Sequence, residues 1–156
     1  MTADTVIFDL GNVLVEYDWK SCLASFGFDK ETYEVIANAV FLNEDWEKGD
    51  AGASPDEWLA LFIENAPEYE KEIRRVYEEL EGCIKSYIYT PNLIKYFRDK
   101  GYRIFYLSNY SEYLYEKTKD KLSFIETFDG GIFSYKEKCI KPNRAIYQIL
   151  LERYDI

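Results

Sequence analysis

Residues 5–15 read TVIFDLGNVLV, and this stretch decides the fold. Its first part, from Val6 to Phe8, is a short apolar run rich in β-branched residues, which predicts a strand buried on both faces. Asp9 stands at the carboxyl end of that strand, and Gly11 then turns the chain. Open α/β sheets bind ligands outside the carboxyl ends of their strands. The stretch therefore predicts either an active-site carboxylate or a solvated acid at a strand end.

The composition limits the functions that this carboxylate can serve. The 156-residue chain has a formal net charge of −10 and no histidine. Nucleic acid and anionic membranes need clustered Lys and Arg, so we expect neither as a partner. A Ser-His-Asp triad and a histidine-ligated zinc are excluded, which leaves acid–base chemistry to carboxylates, Lys, Tyr or Cys. The three cysteines form no C-x-x-C pair, and there is no basic leader or long apolar segment. These features predict a cytoplasmic protein.

Residues 17–86 predict a block of short helices between the first strand and the rest of the chain. Asp29 is an N-cap candidate, and Ser54 begins a capping box with Pro55 in the first turn. Apolar side chains recur at helical spacing through the block, with no convincing strand between the helices. Residues 48–53 are predicted to form a loop.

After residue 87 strands alternate with helices. Apolar runs at residues 103–107 and 130–134 predict two more strands, and Lys141 with Pro142 begins the last predicted helix. Such an alternation indicates a parallel sheet with right-handed crossovers. The predicted fold class is α/β, a Rossmann-like parallel sheet with a helical cap inserted after the first strand.

This layout brings three positions to one rim of the sheet. Asp9 and the pair Ser108 and Asn109 follow strands, and Lys141 follows the third strand. A carboxylate can attack phosphorus, while a hydroxyl, backbone amides and a lysine can hold the phosphoryl oxygens. Each residue alone fits a turn, a cap or a solvated surface equally well. Their order along the chain favours a phosphoryl-transfer site.

The same residues carry a family resemblance. Residues 8–15 resemble motif I of the haloacid dehalogenase (HAD) superfamily, residues 106–109 resemble motif II, and residues 141–143 resemble motif III. The helical block resembles the C1 cap of the phosphatase and dehalogenase branch. The resemblance covers nearly the whole chain and is closest in character to the glucose-1-phosphate phosphatase-like group.

The resemblance implies a division into two parts. Residues 1–16 and 87–156 would form the α/β core, and residues 17–86 would form the cap. It also implies a hydrolase that acts on a small phosphorylated metabolite.

The resemblance further implies a role for each site residue. Asp9 would be the nucleophile that forms an aspartyl-phosphate. Ser108, Asn109 and Lys141 would bind the phosphoryl group, and Lys141 would also act in catalysis. Mg²⁺ would be held by the Asp9 carboxylate and the backbone carbonyl of Gly11, in keeping with the preference of hard cations for oxygen ligands.

One departure from the family pattern concerns acid–base catalysis. Gly11 stands where most family phosphatases carry a second Asp as general acid and base, a group worth ~10²–10⁴ in rate. Asp18 is a candidate substitute, and Asn12 and Asp18 are weaker candidates for substrate contact. The dehalogenases of the branch also lack this Asp and need no metal, so a 2-haloacid dehalogenase is an alternative. Those enzymes need an anion-binding Arg from the cap, a role to which Arg74 and Arg75 have no special claim.

A second departure concerns motif IV. In the family a fourth strand follows motif III and ends in an acidic pair that completes the Mg²⁺ site, whereas this sequence ends at Ile156. Without that strand residues 6–8 form an open edge, which invites pairing with another chain. We therefore expect weak Mg²⁺ binding in a fragment of a longer protein, a truncated product, or a short form stabilised as a homodimer. A catalytically degenerate fold that acts as a binding or assembly module is the remaining alternative.

Overall fold

The structure is a computed structural model that describes residues 4–156. A parallel sheet forms its centre. The strands are β1 (Thr5–Phe8), β2 (Val15–Tyr17), β3 (Ile84–Ser86), β4 (Arg103–Ser108) and β5 (Gly130–Phe133). Parallel pairing joins them in the order β1–β4–β5, while β2 and β3 form a separate antiparallel pair. The predicted α/β class with a parallel sheet is confirmed.

Helices surround this sheet and fill most of the segment between β2 and β3. They are α1 (Trp19–Ala24), α2 (Lys30–Ile36), α3 (Asp45–Asp50), α4 (Pro55–Asn65), α5 (Glu70–Glu78), α6 (Thr90–Asp99), α7 (Glu112–Thr118), α8 (Ser134–Glu137) and α9 (Arg144–Tyr154). A π-helical turn continues α2, and short 3₁₀ turns flank α5 and precede β5.

The predicted helix starts in the block are confirmed by their caps. The Asp29 side chain accepts a hydrogen bond from the Thr32 amide at 2.8 Å. At α4 the Ser54 hydroxyl accepts from the Glu57 amide, and the Glu57 carboxylate accepts from the Ser54 amide. These bonds satisfy amides that have no partner inside the helix.

The prediction that no strand lies between the helices of the block is confirmed, but residues 17–86 are not helical at their two ends. Tyr17 ends β2, and residues 84–86 form β3, which pairs with β2 in antiparallel register. The two segments are short and far apart in the sequence, so neither carries a local pattern that indicates its partner. This pair lies where the chain enters and leaves the helical block.

The boundaries of two helices also differ from the prediction. Helix α3 extends to Asp50, so the predicted loop at residues 48–53 begins later than expected. Helix α9 begins at Arg144, with Asn143 as its N-cap. Lys141 therefore lies in the preceding loop rather than in the first turn of the helix.

One hydrophobic core joins the helical block to the sheet. It includes Leu10 and Leu14 after β1 as well as Trp58 and Phe62 of α4, all 1% exposed or less. The block and the sheet share this core, and residues of the block line the cavity at the carboxyl ends of the strands. The division into core and cap at residues 17–86 stays a prediction.

Strand β1 lies at an edge of the sheet. Within residues 4–156 it pairs only with β4, and the side chain of Ile7 is 41% exposed. Pairing of two copies along this edge stays a prediction. No helix in the described part of the chain is long and apolar enough to cross a membrane.

The contact between Gly49 and Trp58 provides a test of how α3 is positioned. A Cβ atom at Gly49 would lie 2.4 Å from the Trp58 ring, whereas a Cβ atom at Gly11 would meet nothing within 4 Å. We expect Gly49→Ala to lower the free energy of unfolding by about 1–3 kcal/mol, because overpacking outweighs the helix preference for alanine. Urea unfolding measures this change, and Gly11→Ala is the matched control. Equal stability of both variants would contradict the packing described.

Candidate active site

A cavity of about 190 Å³ opens at the carboxyl ends of β1 and β4. Most of the residues singled out from the sequence line it. The lining consists of Asp9, Gly11, Asn12, Tyr17, Trp46, Asp50, Ile84, Ser108, Asn109, Tyr110, Leu114 and Lys141. The chain thus brings the residues of all three motifs, together with parts of the helical block, to one cavity.

Asp9 and Lys141 form an ion pair in this cavity. The Lys141 Nζ lies 2.9 Å from Asp9 Oδ2 and also donates a hydrogen bond to the Leu107 carbonyl oxygen at 2.9 Å. Asp9 Oδ1 accepts from the Leu10 amide at 2.7 Å. The Asp9 side chain is 44% exposed, so a ligand can reach its carboxylate.

Asn109 holds the backbone of Lys141. Its Oδ1 accepts from the Lys141 amide at 2.8 Å, and its Nδ2 donates to the Lys141 carbonyl oxygen at 3.1 Å. With both ends of the side-chain amide engaged, Asn109 positions the lysine. Its backbone N–H remains the part that can face a phosphoryl group.

The Ser108 hydroxyl is buried at the end of β4. Only 1% of the residue is exposed, and its Oγ lies 3.5 Å from the Asn109 carbonyl oxygen, the long limit for a hydrogen bond. Ser108 therefore keeps a hydroxyl donor that a bound anion can use.

The turn after β1 shapes the wall beside Asp9. Asn12 adopts a left-handed conformation with φ of 58°, and its Oδ1 accepts from the Tyr17 amide at 2.8 Å. This conformation is tolerated by asparagine better than by most residues other than glycine. The Asn12 side chain thus ties the turn to β2.

The fit of this site to Mg²⁺ depends on its oxygen donors. The Asp9 carboxylate and the Gly11 carbonyl oxygen can both serve as ligands, and Mg²⁺ commonly uses one or two carboxylates together with water and substrate oxygens. Residues 4–156 contain no group of three or more His, Cys, Asp or Glu side chains that could hold a metal. The donors therefore fit an ion that keeps most of its water, and not an ion enclosed by protein ligands.

Asp18 lies outside the cavity. Its Oδ1 accepts from the Ser21 amide at 3.1 Å as the N-cap of α1, and its Oδ2 lies 3.2 Å from the Lys85 Nζ. Hydrogen bonds from Ser21 and the charge of Lys85 lower the pKa of this carboxyl to about 2. A carboxylate that stays ionised at neutral pH and caps a helix is poorly suited to the acid–base role expected from the sequence.

Asp50 is a cavity residue that the sequence interpretation missed. It ends α3, and only 8% of it is exposed. Burial raises the pKa of the Asp50 carboxyl to about 7, with a smaller contribution from the negative charge of Glu47. The positive charge of Lys141 acts in the opposite direction and lowers this pKa. Its position between Gly49 and Gly52, close after Trp46, is the signal that the sequence offers, whereas the sequence analysis predicts only a loop there.

A family model decides the classification of the chain. A model described as haloacid dehalogenase-like hydrolase matches residues 3–156. The chain belongs to the haloacid dehalogenase-like hydrolases. No curated protein gives a significant match to this HAD-like hydrolase.

Solved structures share the fold of this HAD-like hydrolase at low sequence identity. A HAD family enzyme from Bacteroides thetaiotaomicron, in complex with magnesium and inorganic phosphate, matches with a TM-score of 0.76 and 20% identity over 99% of this chain and 80% of that chain. A predicted HAD-like family hydrolase from Porphyromonas gingivalis gives a TM-score of 0.73 and 20% identity over 99% of this chain and 77% of that chain. The L-2-haloacid dehalogenase from Xanthobacter autotrophicus, with chloropropionic acid covalently bound, gives a TM-score of 0.62 and 12% identity over 99% of this chain and 66% of that chain.

The raised pKa of Asp50 predicts a pH-dependent stability. Between about pH 4 and pH 7 the folded state keeps a proton on Asp50 that the unfolded state has released, so this group destabilises the fold increasingly as the pH rises. The Asp50 carboxyl has a pKa of about 7 in the folded state and an ordinary value of 3.8. This difference corresponds to a loss of at most about 4 kcal/mol in the free energy of unfolding.

We therefore expect Asp50→Asn to be more stable than the wild type, by a margin that grows from about pH 5 to about pH 8. Urea unfolding across this range measures the margin. Glu44→Gln, which removes an exposed carboxylate just before α3, is the matched control. Its free energy of unfolding should differ from that of the wild type by the same amount at every pH in this range. A pH-independent margin for Asp50→Asn would refute the prediction.

Proposed function

We propose that this HAD-like hydrolase is a phosphatase of the C1-cap branch that hydrolyses a small phosphorylated metabolite through Asp9. The observation that carries the proposal is the Asp9 carboxylate 2.9 Å from the Lys141 ammonium in a cavity that the Ser108 hydroxyl also lines. A nucleophilic carboxylate beside a fixed cation and a hydroxyl donor is suited to phosphoryl transfer. A cytoplasmic location stays a prediction.

In the proposed reaction an Asp9 oxygen attacks phosphorus and forms an aspartyl-phosphate. The Lys141 ammonium lowers the repulsion between this carboxylate and the anionic substrate, and it offsets charge that grows on the phosphoryl oxygens. The Ser108 hydroxyl and the Asn109 backbone N–H hold those oxygens. The Asn109 side chain keeps Lys141 in place through the two hydrogen bonds to its backbone.

Mg²⁺ is the proposed cofactor. The Asp9 carboxylate and the Gly11 carbonyl would hold it, and it would supply positive charge that neutralises the phosphoryl oxygens. The fold similarity to an enzyme described in complex with magnesium and inorganic phosphate supports this choice.

We also propose that residues 17–86 act as the cap of this site. Tyr17 and Trp46 line the cavity from the block, with their ring centroids 5.6 Å apart. A cavity of about 190 Å³ closed by two aromatic rings favours a small substrate.

A 2-haloacid dehalogenase is the second candidate, favoured by Gly11 and by the similarity in fold to such an enzyme. The positions of the block arginines weigh against it. Arg74 pairs with Glu70 at 2.7 Å, and the Arg75 guanidinium lies over the Phe26 ring. Neither arginine lines the cavity, where Lys141 is the sole cation among the described lining residues.

Replacement of the nucleophile tests the phosphatase. We expect Asp9→Asn to reduce phosphate release from aryl phosphates by about 10³-fold or more, because the amide cannot attack phosphorus. Chelation of Mg²⁺ should lower the wild-type rate. Asp18→Asn is the matched control, since asparagine preserves the cap of α1, and its rate should stay near that of the wild type.

The alternatives give different outcomes in the same assay. Phosphate release that survives in Asp9→Asn would refute the assignment of the nucleophile. Metal-independent halide release from 2-haloacids, without phosphatase activity, would identify a dehalogenase. Phosphate binding by the wild type without any turnover would identify a binding module.

A further inference from the structure

The proposed reaction needs a group that moves protons, and the segment after the nucleophile does not supply one. Gly11 stands two residues after Asp9, and a Cβ atom built on it would meet no atom within 4 Å. The wall of the cavity is therefore open at this point. A proton donor has to come from another part of the chain, and in a chain without histidine a carboxyl group is the leading candidate.

Asp50, the last residue of α3, offers such a carboxyl group. The residue is 8% exposed and lines the same cavity as Asp9 and Lys141. Its carboxyl oxygens form no hydrogen bond within the described residues 4–156, and neither oxygen is a fully enclosed atom without a partner, so both keep access to the open cavity. Burial disfavours the charged form of this carboxyl group, so its presence in a cavity that also holds the Lys141 ammonium calls for an explanation other than stability.

The backbone of Asp50 is held by the sheet side of the cavity. The Ser134 Oγ donates to the Asp50 carbonyl oxygen at 2.6 Å and accepts from the Tyr110 amide at 3.0 Å. Ser134 follows β5, and Tyr110 follows β4. The carboxyl group is thus placed relative to the same strand ends that place Lys141 and Ser108.

The surroundings of Asp50 allow both of its protonation states near neutral pH. The groups that act on its charge are the Lys141 ammonium and the Glu47 carboxylate of α3, and the phenols of Tyr17 and Tyr110, whose own pKa values are raised by burial, are also close to it. Burial raises the pKa of the Asp50 carboxyl to about 7, which is the range in which a group can both donate and accept a proton.

We propose that Asp50 is the acid–base residue of this active site, supplied by α3 in place of the side chain that Gly11 lacks. The proposal rests on the phosphatase function proposed above and adds to it the source of the proton.

Asp50 gives up one proton in the first step of the reaction and regains it in the second. In the first step an Asp9 oxygen forms a bond to phosphorus as the bond from phosphorus to the leaving oxygen breaks, and the Asp50 carboxyl gives its proton to that oxygen. In the second step the Asp50 carboxylate takes a proton from water while the water oxygen attacks the phosphorus. The bond from phosphorus to Asp9 breaks, inorganic phosphate leaves, and both carboxyl groups return to their starting states.

Two aryl esters of similar shape distinguish this role from others. Phenyl phosphate has a poor leaving group that needs a proton, whereas para-nitrophenyl phosphate has a good leaving group that needs it much less. We expect Asp50→Asn to reduce kcat/KM for phenyl phosphate by ~10²–10⁴ and to reduce it far less for para-nitrophenyl phosphate. Phosphorylated Asp9 should also accumulate in the variant, which mass spectrometry of the acid-quenched protein detects.

The matched control is Glu44→Gln, which should leave both esters unaffected. An equal loss of kcat/KM for both esters in Asp50→Asn would overturn the proposal, because a metal ligand or a purely structural residue would produce that result. Unchanged turnover of phenyl phosphate would also overturn it. Thermal unfolding verifies that the variant is folded, and no loss is expected because the change removes a buried carboxyl.

Failure of this inference is distinguishable from failure of the phosphatase itself. If the wild type is active, Asp9→Asn is inactive and Asp50→Asn retains full activity on both esters, only the role of Asp50 is refuted. If the wild type releases phosphate from neither ester, both proposals fail.

Discussion

The ion pair between Asp9 and Lys141 is the interaction on which the arrangement of the site depends. The parallel register of β1 and β4 pairs Phe8 with Tyr106, so Asp9 emerges beside Leu107, whose carbonyl oxygen binds the Lys141 ammonium. The lysine is therefore held by the neighbouring strand as well as by the carboxylate. A lysine fixed in this way loses little additional side-chain entropy when an anion binds. It is therefore better suited to stabilising a reacting anion than a mobile lysine on the surface would be.

Three aspartates of this histidine-free chain differ in exposure, in their contacts and in the roles that these allow. Asp18 caps α1 and pairs with Lys85, which keeps its pKa low. Asp9 is accessible and faces a cation. Asp50 is buried, which raises the pKa of its carboxyl group towards neutrality. Burial and hydrogen bonding, rather than residue type, separate a structural carboxylate from the proposed nucleophile and the proposed acid–base residue.

The position of Asp50 has a cost that the surrounding core offsets. Burial of the charged carboxyl group disfavours folding, whereas the aromatic contacts of Trp46, Trp58 and Phe62 and the shared core favour it. Groups that lower stability are common in active sites, where activity and stability compete, and the proposed role of Asp50 fits that pattern. The bond from Ser134 to the Asp50 carbonyl keeps this costly group aligned with the strand ends.

The sequence by itself determined the strands β1, β4 and β5, the capped helices at Asp29 and Ser54, and the meeting of Asp9, Ser108 and Lys141. These features follow from local periodicity, from caps and from the rule that parallel strand ends share a rim. Only the tertiary structure decided the pairing of β2 with β3, the clamp of Asn109 on Lys141 and the burial of Asp50. Each of these depends on contacts between residues far apart in the chain, and a carboxyl group acquires its pKa only from the neighbours that folding brings to it.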